Sequence, residues 1–150
     1  MPQEINVTIA GLSDRDDVVT LLSRQLTEHE IRLPDASVQK AVDGVLADSR
    51  LGFLLVAKDR EVPVGVAYVS FIWTLERGGL TAWLEELYVV PERRDGGIGL
   101  QMLEAVLERA QHNGCAAVDL EVDITHERAA HLYMRSGFEQ LNRSRWVKFL

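Results

Sequence analysis

Glycines and arginines stand together in "VVPERRDGGIGLQMLEAVLERA", where an apolar extended run leads into an amphipathic helix. The N-terminus of a helix presents unpaired N–H groups and a partial positive charge, which bind anions and phosphate above all. Gly96, Gly97 and Gly99 leave the backbone open to close approach, and Arg93 and Arg94 add positive charge. The segment therefore predicts a phosphate-binding loop. The plainer alternative is a tight turn from strand to helix.

The spacing of these glycines excludes two common phosphate-binding patterns. The sequence has no G-x-x-x-x-G-K-[ST], which excludes a P-loop for a nucleoside triphosphate. The dinucleotide pattern G-x-G-x-x-G also fails, because Met102 stands three residues after Gly99. A pyrophosphate group held mostly by backbone N–H groups is the ligand that remains.

The first half of the chain must supply the elements that position this loop. "INVTI" alternates like a half-buried strand, and Ser13 with Asp16 resembles a capping box that opens a first helix. A second helix begins at about Asp35. Three strands follow, "LGFLLVAK", "VPVGVAYVSFIW" and "LTAWLEELYVV", joined by turn-like segments.

The second half alternates helix and strand. The helix after the glycines runs to about Asn113, where Gly114 is a stop signal. The strand "AAVDLEV", the short helix "ERAAHLYMRS" and a last strand or hairpin from Phe138 complete the chain. This order predicts an α/β fold with a mixed, largely antiparallel sheet, in a single domain of residues 1–150.

Composition narrows the classes of partner. The 150 residues are 47% hydrophobic, which suits one globular domain with a core of its own. A net charge of −7 argues against nucleic acid and anionic membranes as partners, and it mildly favours a cationic small molecule. Cys115 is the only cysteine and no Cys/His cluster has zinc spacing, so we expect no metal. With no signal-like or membrane-spanning run, a cytoplasmic protein is expected.

Two motifs resemble the GNAT superfamily of acyl-CoA-dependent N-acetyltransferases. The family's [RQ]-x-x-G-x-[GA] is matched from Arg94 to Gly99, directly after "LEELYVVPE". Downstream, "HERAAHLYMRSGF" is similar to the family's N-x-x-A-x-x-L-Y-x-x-x-G-F, with His126 in place of the asparagine. The resemblance covers Leu84 to Phe138, and in the first half only the order of the elements matches.

The resemblance implies acetyl-CoA as the co-substrate. The strand "LYVV" should separate from "AAVDLEV" at a bulge, so that backbone groups of Leu87 and Val89 face the pantetheine arm. Backbone N–H groups from about Asp95 to Leu100 would then hold the pyrophosphate, with Arg94 at the mouth. The implied cofactor-binding residues are Leu87, Tyr88, Val89, Arg94, Asp95, Gly96, Gly97, Ile98, Gly99, Leu100 and His126.

Two catalytic residues are implied in the same way. Tyr133 matches the tyrosine that protonates the departing thiolate in many members of the family, although it can also be a core aromatic. Glu85 matches the glutamate of several polyamine-type members and is the expected base, because an amine near pKa 10 arrives mostly protonated. Strand alternation predicts that Glu85 and Glu86 point to opposite faces, so that only one of them reaches the cleft. Glu86 and water are the other candidates for the base. Both carboxylates can also be no more than solvated charges.

The expected reaction is acetyl transfer to a primary amine by direct attack in a ternary complex. The segment "LTEHEIRLPD" carries Glu28, Glu30 and Asp35, which suits a small cationic amine. A peptide or protein amine as the acceptor, and a non-catalytic acyl-CoA-binding domain, stay open as alternatives. The apolar and aromatic segment "RSRWVKFL" predicts a homodimer, since members of the family often pair through such edge strands.

Overall fold

The computed structural model describes residues 4–150 and places one mixed sheet at the centre of the chain. The strands lie in the order β1-β2-β3-β4-β5, the first three pairs antiparallel and β4–β5 parallel. The predicted mixed, largely antiparallel sheet is confirmed. The strands are β1 Ile5–Ile9, β2 Gly52–Asp59, β3 Val62–Thr74, β4 Gly79–Val89 and β5 Val118–Leu120.

The helices bury one apolar stripe each against this sheet, except the last, which has no fully buried residue. In α1 the buried side chains recur at helical spacing, at Val18, Leu21, Leu22 and Gln25. In α3 the buried stripe includes Met102, Leu103 and Val106. The bounds are α1 Arg15–Glu28, α2 Asp35–Ala47, α3 Ile98–His112 and α4 Glu127–Arg135.

The two faces of the sheet carry different helices. A Cβ atom at Gly65 would lie 2.7 Å from the sulfur of Met102, so this residue of β3 faces α3. The hydroxyl of Tyr68, three residues along the same strand, donates to the Ala41 carbonyl of α2 at 3.3 Å. Because side chains alternate along a strand, α3 covers one face while α1 and α2 cover the other.

Three predicted boundaries are wrong. A short 3-10 turn of residues 12–14 precedes α1, and the capping contact joins Gly11 and Asp14 instead of Ser13 and Asp16: the Asp14 carboxylate accepts from the Gly11 N–H at 2.9 Å. Strand β5 keeps only residues 118–120 of "AAVDLEV", because its ladder with β4 ends there. No strand forms from Phe138 onwards within the described residues, since the segment 138–150 pairs with no neighbouring strand.

Candidate functional site

The parallel strands β4 and β5 separate after three paired positions. Their ladder runs from Ala82–Val118 to Leu84–Leu120 and ends there, whereas β4 continues to Val89. Residues 85–89 of β4 therefore have one edge without a strand partner in the part of the chain that the structure describes. This opening lies where the resemblance predicts that the two strands part.

Backbone groups of Leu87 and Val89 point into this opening. The N–H of Val90 donates to the Val64 carbonyl at 2.9 Å, which places it toward β3. The carbonyl of Val89 belongs to the same peptide unit and therefore points the opposite way, where Arg94 Nε donates to it at 2.9 Å. Leu87 is two residues earlier in the strand, so its carbonyl faces the same edge.

The glycine segment presents a row of free backbone donors. None of the six N–H groups from Asp95 to Leu100 donates to another group within residues 4–150, and α3 begins inside this row, at Ile98. Asp95 and Gly97 adopt positive φ angles of 68° and 83°, which turn the chain into the helix. Ile98 is buried and anchors the loop, while Leu100 is half-exposed. Free N–H groups at a helix N-terminus are typical of sites that bind anions.

Arg94 lies between this loop and the end of α1. Its Nη2 atom is 2.7 Å from the Glu28 carboxylate, and its guanidinium lies 5.5 Å from the centroid of the buried Tyr88 ring. The neighbouring Asp95 carboxylate forms an ion pair with Arg128 of α4. One acidic side chain of the loop is thereby neutralised by a helix that follows it in sequence.

A β-bulge places both glutamates of β4 on one face of the sheet. The register of β3 with β4 shifts between Tyr68–Glu86 and Val69–Leu84, so Glu85 is the extra residue. Glu85 accepts a hydrogen bond from the Ser70 hydroxyl, and Ser70 shares its face with Tyr68, the partner of Glu86. The expectation that alternation sends the two carboxylates to opposite faces is therefore wrong, because the bulge interrupts the alternation.

The two glutamates differ in their surroundings. Glu85 is exposed, whereas Glu86 is half-buried and accepts a hydrogen bond from the side-chain amide of Gln25 in α1. Burial and the negative charge of Glu85 raise the pKa of Glu86 from 4.5 to about 7, against the opposing effect of the Gln25 hydrogen bond. Glu86 is therefore a carboxylate that exchanges a proton near neutral pH.

Tyr133 of α4 lies on the same side of the molecule. Burial and the charge of Glu86 raise the pKa of its phenol to about 12, so the hydroxyl keeps its proton at neutral pH. Its ring packs edge-on against Phe138, with the ring centroids 5.6 Å apart. A phenol that is protonated and near a basic carboxylate suits a general acid.

His126 and the acceptor segment lie near the end of α1. His126 is exposed and directly precedes α4, and its ring centroid is 5.2 Å from that of His29. The turn after α1 lines an open depression with a positive charge among its residues, which are Thr27, Glu30, Ile31, Arg32, Leu33 and Pro34. Of the acidic residues predicted to attract a cation, Glu28 is already paired with Arg94.

Sequence reasoning missed Gln25, Ser70 and Arg128. Gln25 had a visible signal, since a polar residue continues the apolar stripe of α1 at the position seven after Val18. The side chain is 7% exposed, which is rare for a glutamine without a specific partner. Ser70 and Arg128 meet their partners only through the fold.

Comparison with known proteins gives the same picture. The model of the Acetyltransferase (GNAT) family matches residues 15–138. A thialysine N-epsilon-acetyltransferase of Mus musculus is 29% identical, over 91% of this chain and 86% of its own length. An aminoalkylphosphonate N-acetyltransferase of Salmonella typhimurium is 28% identical, over 87% of this chain and 82% of that protein.

Solved structures show the fold. An aminoglycoside N-acetyltransferase in complex with CoA superimposes with a TM-score of 0.85 at 17% identity, over 99% of this chain and 97% of that one. An integron cassette protein from a salt-marsh metagenome also gives 0.85, at 25% identity over 96% of this chain and 90% of that one. Between residues 4 and 150, no helix is long and apolar enough to cross a membrane.

The open strand edge, the row of free N–H groups and the family match define the class of protein. The chain belongs to the GNAT acetyltransferase family. It is an acetyl-CoA-dependent N-acetyltransferase, as the resemblance of its two sequence motifs to this family predicted.

Proposed function

We propose that this enzyme acetylates a small cationic primary amine by direct attack in a ternary complex. The observation that supports it most is the bulge of β4, which brings Glu85 and Glu86 to one face, beside the protonated Tyr133. A carboxylate to remove a proton and a phenol to return one are the two groups that direct aminolysis of a thioester needs. No nucleophilic side chain has to take part.

The residues of the opening and the loop fit acetyl-CoA. The backbone groups of Leu87 and Val89 on the open edge can pair with the pantetheine amides. The Val89 carbonyl becomes available when Arg94 no longer donates to it. A pyrophosphate suits the N–H groups of the loop, which have no partner within residues 4–150; they belong to Asp95, Gly96, Gly97, Ile98, Gly99 and Leu100. Tyr88 contributes its ring under Arg94, and His126 offers an imidazole N–H at the start of α4.

The protein side of the reaction consists of three proton transfers and one orientation step. Acetyl-CoA supplies the acetyl group and leaves as a thiol. A glutamate of the bulge removes a proton from the ammonium form of the acceptor, and its charge also orients the amine. Tyr133 delivers its proton to sulfur as the negative charge develops there, and the second proton leaving the nitrogen restores the phenol. The resemblance assigns the base to Glu85, and the structure makes Glu86 a competing candidate.

The class of acceptor rests on charge and on the relatives. Two carboxylates at the bulge and a net charge of −7 attract a cation. The relatives are named for thialysine, aminoalkylphosphonate and, in one from Klebsiella aerogenes, aminoglycoside acetylation. The alternatives are a peptide or protein amine and a domain that binds acyl-CoA without catalysis.

Three further expectations belong to this proposal. Residues 1–150 form one acetyltransferase domain, which the matched span of residues 15–138 supports. Two copies pair through the final segment, where Trp146 and Phe149 are each 88% exposed. The protein is cytoplasmic and has neither nucleic acid nor membrane as a partner, as its charge and its single cysteine indicate.

A panel of amines tests the proposal. Free CoA thiol is followed with acetyl-CoA and polyamines, aminoglycosides, lysine analogues, aminoalkylphosphonates and short peptides. Rapid release with one group of small cationic amines is expected. Release only with peptides would move the acceptor to the peptide class. Strong thermal stabilisation by acetyl-CoA with no release on any amine would favour the non-catalytic alternative.

A further inference from the structure

The strongest unexplained feature near the site is the contact between Gln25 and Glu86. Gln25 is buried in the apolar stripe of α1, and its Nε2 atom donates to the Glu86 carboxylate. Its Oε1 atom is buried without a hydrogen-bond partner among the described residues. An unpaired amide oxygen in the interior lowers stability. The hydrogen bond to the Glu86 carboxylate therefore fixes the orientation of the Gln25 amide although its oxygen is left without a partner.

We propose that Glu86 is the base that deprotonates the acceptor amine, and that Gln25 is the residue that positions it. This inference rests on the proposed function and makes it more specific. It selects the second glutamate of the bulge over Glu85, which the family resemblance favours.

The surroundings of the two carboxylates support this choice. Glu85 is exposed, so water surrounds its carboxylate. Glu86 is half-buried and next to a like charge, two conditions that favour taking up a proton. Removal of a proton is most efficient when the base titrates near the working pH.

An amide is well suited to hold a carboxyl group through a proton cycle. Its N–H₂ group donates to the charged carboxylate, as Gln25 does in the structure. After Glu86 takes up a proton, rotation of the amide brings the unpaired Oε1 atom to accept from the new O–H group. One residue can therefore satisfy both states of the base without moving the strand.

The other polar groups that face Glu86 do not replace Gln25 in this role. Glu85 adds only negative charge from the same strand. Tyr68, opposite Glu86 on β3, donates its hydroxyl to the Ala41 carbonyl. Tyr133 of α4 keeps its proton, because burial and Glu86 hold its pKa high.

Glu86 and Tyr133 together account for every proton that moves in the reaction. The acceptor arrives as an ammonium group, and Glu86 removes its first proton and releases it to solvent after turnover. The nitrogen lone pair forms the new C–N bond to the acetyl carbon, and the C–S bond breaks. The sulfur takes the proton of Tyr133, and the second proton leaving the nitrogen restores the phenol. One proton is released overall, as the conversion of an ammonium and a thioester to an amide and a thiol requires.

Titration of the ligand-free protein tests the base without any turnover. The carboxyl carbons of ¹³C-glutamate-labelled protein are followed by NMR, and Glu86→Gln assigns the resonance of Glu86. The resonance should titrate near pH 7. Glu85→Gln should lower this pKa, because it removes a like charge, and Gln25→Met should raise it, because the hydrogen bond to the charged form is lost.

The same variants are compared in the pH dependence of kcat/KM for the best amine of the panel. Glu86→Gln should lower kcat/KM at neutral pH by roughly 100- to 10,000-fold, and the acidic limb of the profile should disappear. In Gln25→Met the acidic limb should move to higher pH. The value of kcat/KM should fall by about 3- to 10-fold at neutral pH and return toward that of the wild type at higher pH. Glu85→Gln should move the limb to lower pH. Glu108→Gln, an exposed change on α3, is the matched control.

The outcomes separate the two proposals. An acidic limb that survives in Glu86→Gln and disappears in Glu85→Gln would overturn the assignment of the base while leaving the function intact. A Glu86 resonance that titrates near 4.5, or is unmoved in a folded Gln25→Met, would overturn the role of Gln25. A wild-type protein that turns over no amine would overturn the proposed function, and the base with it.

Discussion

Arg94 of the phosphate loop and Glu28 at the end of α1 form an ion pair, with 2.7 Å between Nη2 and Oε2. The same guanidinium donates to the Val89 carbonyl on the open edge of β4. Because we propose that Arg94 contacts the pyrophosphate, we expect both contacts to compete with acetyl-CoA. Binding should draw the guanidinium away from Glu28.

The ion pair predicts opposite effects of two charge-removing substitutions on acetyl-CoA affinity. Glu28→Gln frees Arg94 and should tighten binding by about 2- to 5-fold, the range expected for one partly exposed ion pair. Arg94→Gln should weaken binding by roughly 10- to 100-fold, because a charge-assisted contact with phosphate is lost. Isothermal titration calorimetry measures both, with Glu30→Gln as the control for charge alone. Equal affinity in all three variants would show that Arg94 does not contact the phosphates.

Gly97 gives a test of the loop itself. Apart from the chain neighbours of Gly97, no atom of residues 4–150 lies within 4 Å of a Cβ atom built there, so a side chain has room. Gly97→Glu should weaken acetyl-CoA binding roughly 100-fold or more, because it adds bulk and negative charge to the phosphate path. Gly97→Gln introduces a side chain of the same size and the same backbone strain at a φ of 83° but no charge. It should therefore lose less affinity for acetyl-CoA than Gly97→Glu does. Affinity of the wild type in a folded Gly97→Glu would exclude this loop as the phosphate site.

Substitution of Tyr133 should affect the rate of catalysis and leave cofactor binding intact. Tyr133→Phe keeps the ring against Phe138 but removes the proton, so kcat should fall by roughly 10- to 1000-fold while acetyl-CoA affinity stays nearly unchanged. Because the pKa of the phenol is about 12, the wild type should show no alkaline loss of activity from this group up to about pH 10. Steady-state rates and calorimetry give the two readouts. Turnover near the wild-type rate in a folded variant would assign the proton to water.

The first four strands, the helices and the glycine turn that begins α3 were predictable because their signals are local. The spacing of Gly96, Gly97 and Gly99 before an amphipathic run is visible in a few residues, and the loop begins α3 as expected. The strands of the sheet are visible as alternating or continuous apolar runs bounded by turn-like segments. Both kinds of pattern need no knowledge of distant partners.

The orientation of the glutamates was not predictable from β4 alone. A bulge is defined by two residues facing one on the partner strand, so Glu85 becomes the extra residue only against the register of β3. The pairing of Gln25 with Glu86 joins residues 61 positions apart and depends on the same register. The strand or hairpin predicted from Phe138 does not form in the described part of the chain, where residues 138–150 pair with no strand.

The exposed final segment gives the prediction of a homodimer its test. Arg143 and Arg145 pair with Glu76 and Glu121 at 2.7 Å, which holds the segment close to β4 and β5. Trp146 and Phe149 are exposed in the single chain, and a second copy would cover them. Light scattering should show a dimer at micromolar concentration, and the double variant Trp146→Ser, Phe149→Ser should be a folded monomer. A wild-type monomer would contradict the prediction, and a variant that unfolds would show that both rings close the core of their own chain.

Glu86 predicts a pH dependence of stability with a definite sign. Its pKa is about 7 in the folded protein and 4.5 ordinarily, so the folded chain binds this proton more tightly than the unfolded chain does. The stabilisation is complete below about pH 4.5 and is lost as the pH rises through about 7.

Glu86→Gln isolates this effect, because glutamine is neutral at every pH. A shift of this size corresponds to about 3.5 kcal/mol at about 1.4 kcal/mol per pKa unit, and partial exposure of the side chain reduces it to about 1 to 2 kcal/mol. The free energy of unfolding of the variant relative to the wild type should therefore rise by this amount between pH 4.5 and 7 and level off above. Urea unfolding across this range measures it, with Glu108→Gln expected to stay parallel to the wild type. A difference between Glu86→Gln and the wild type that does not change with pH would mean that Glu86 keeps its ordinary pKa and is no more basic than an exposed glutamate.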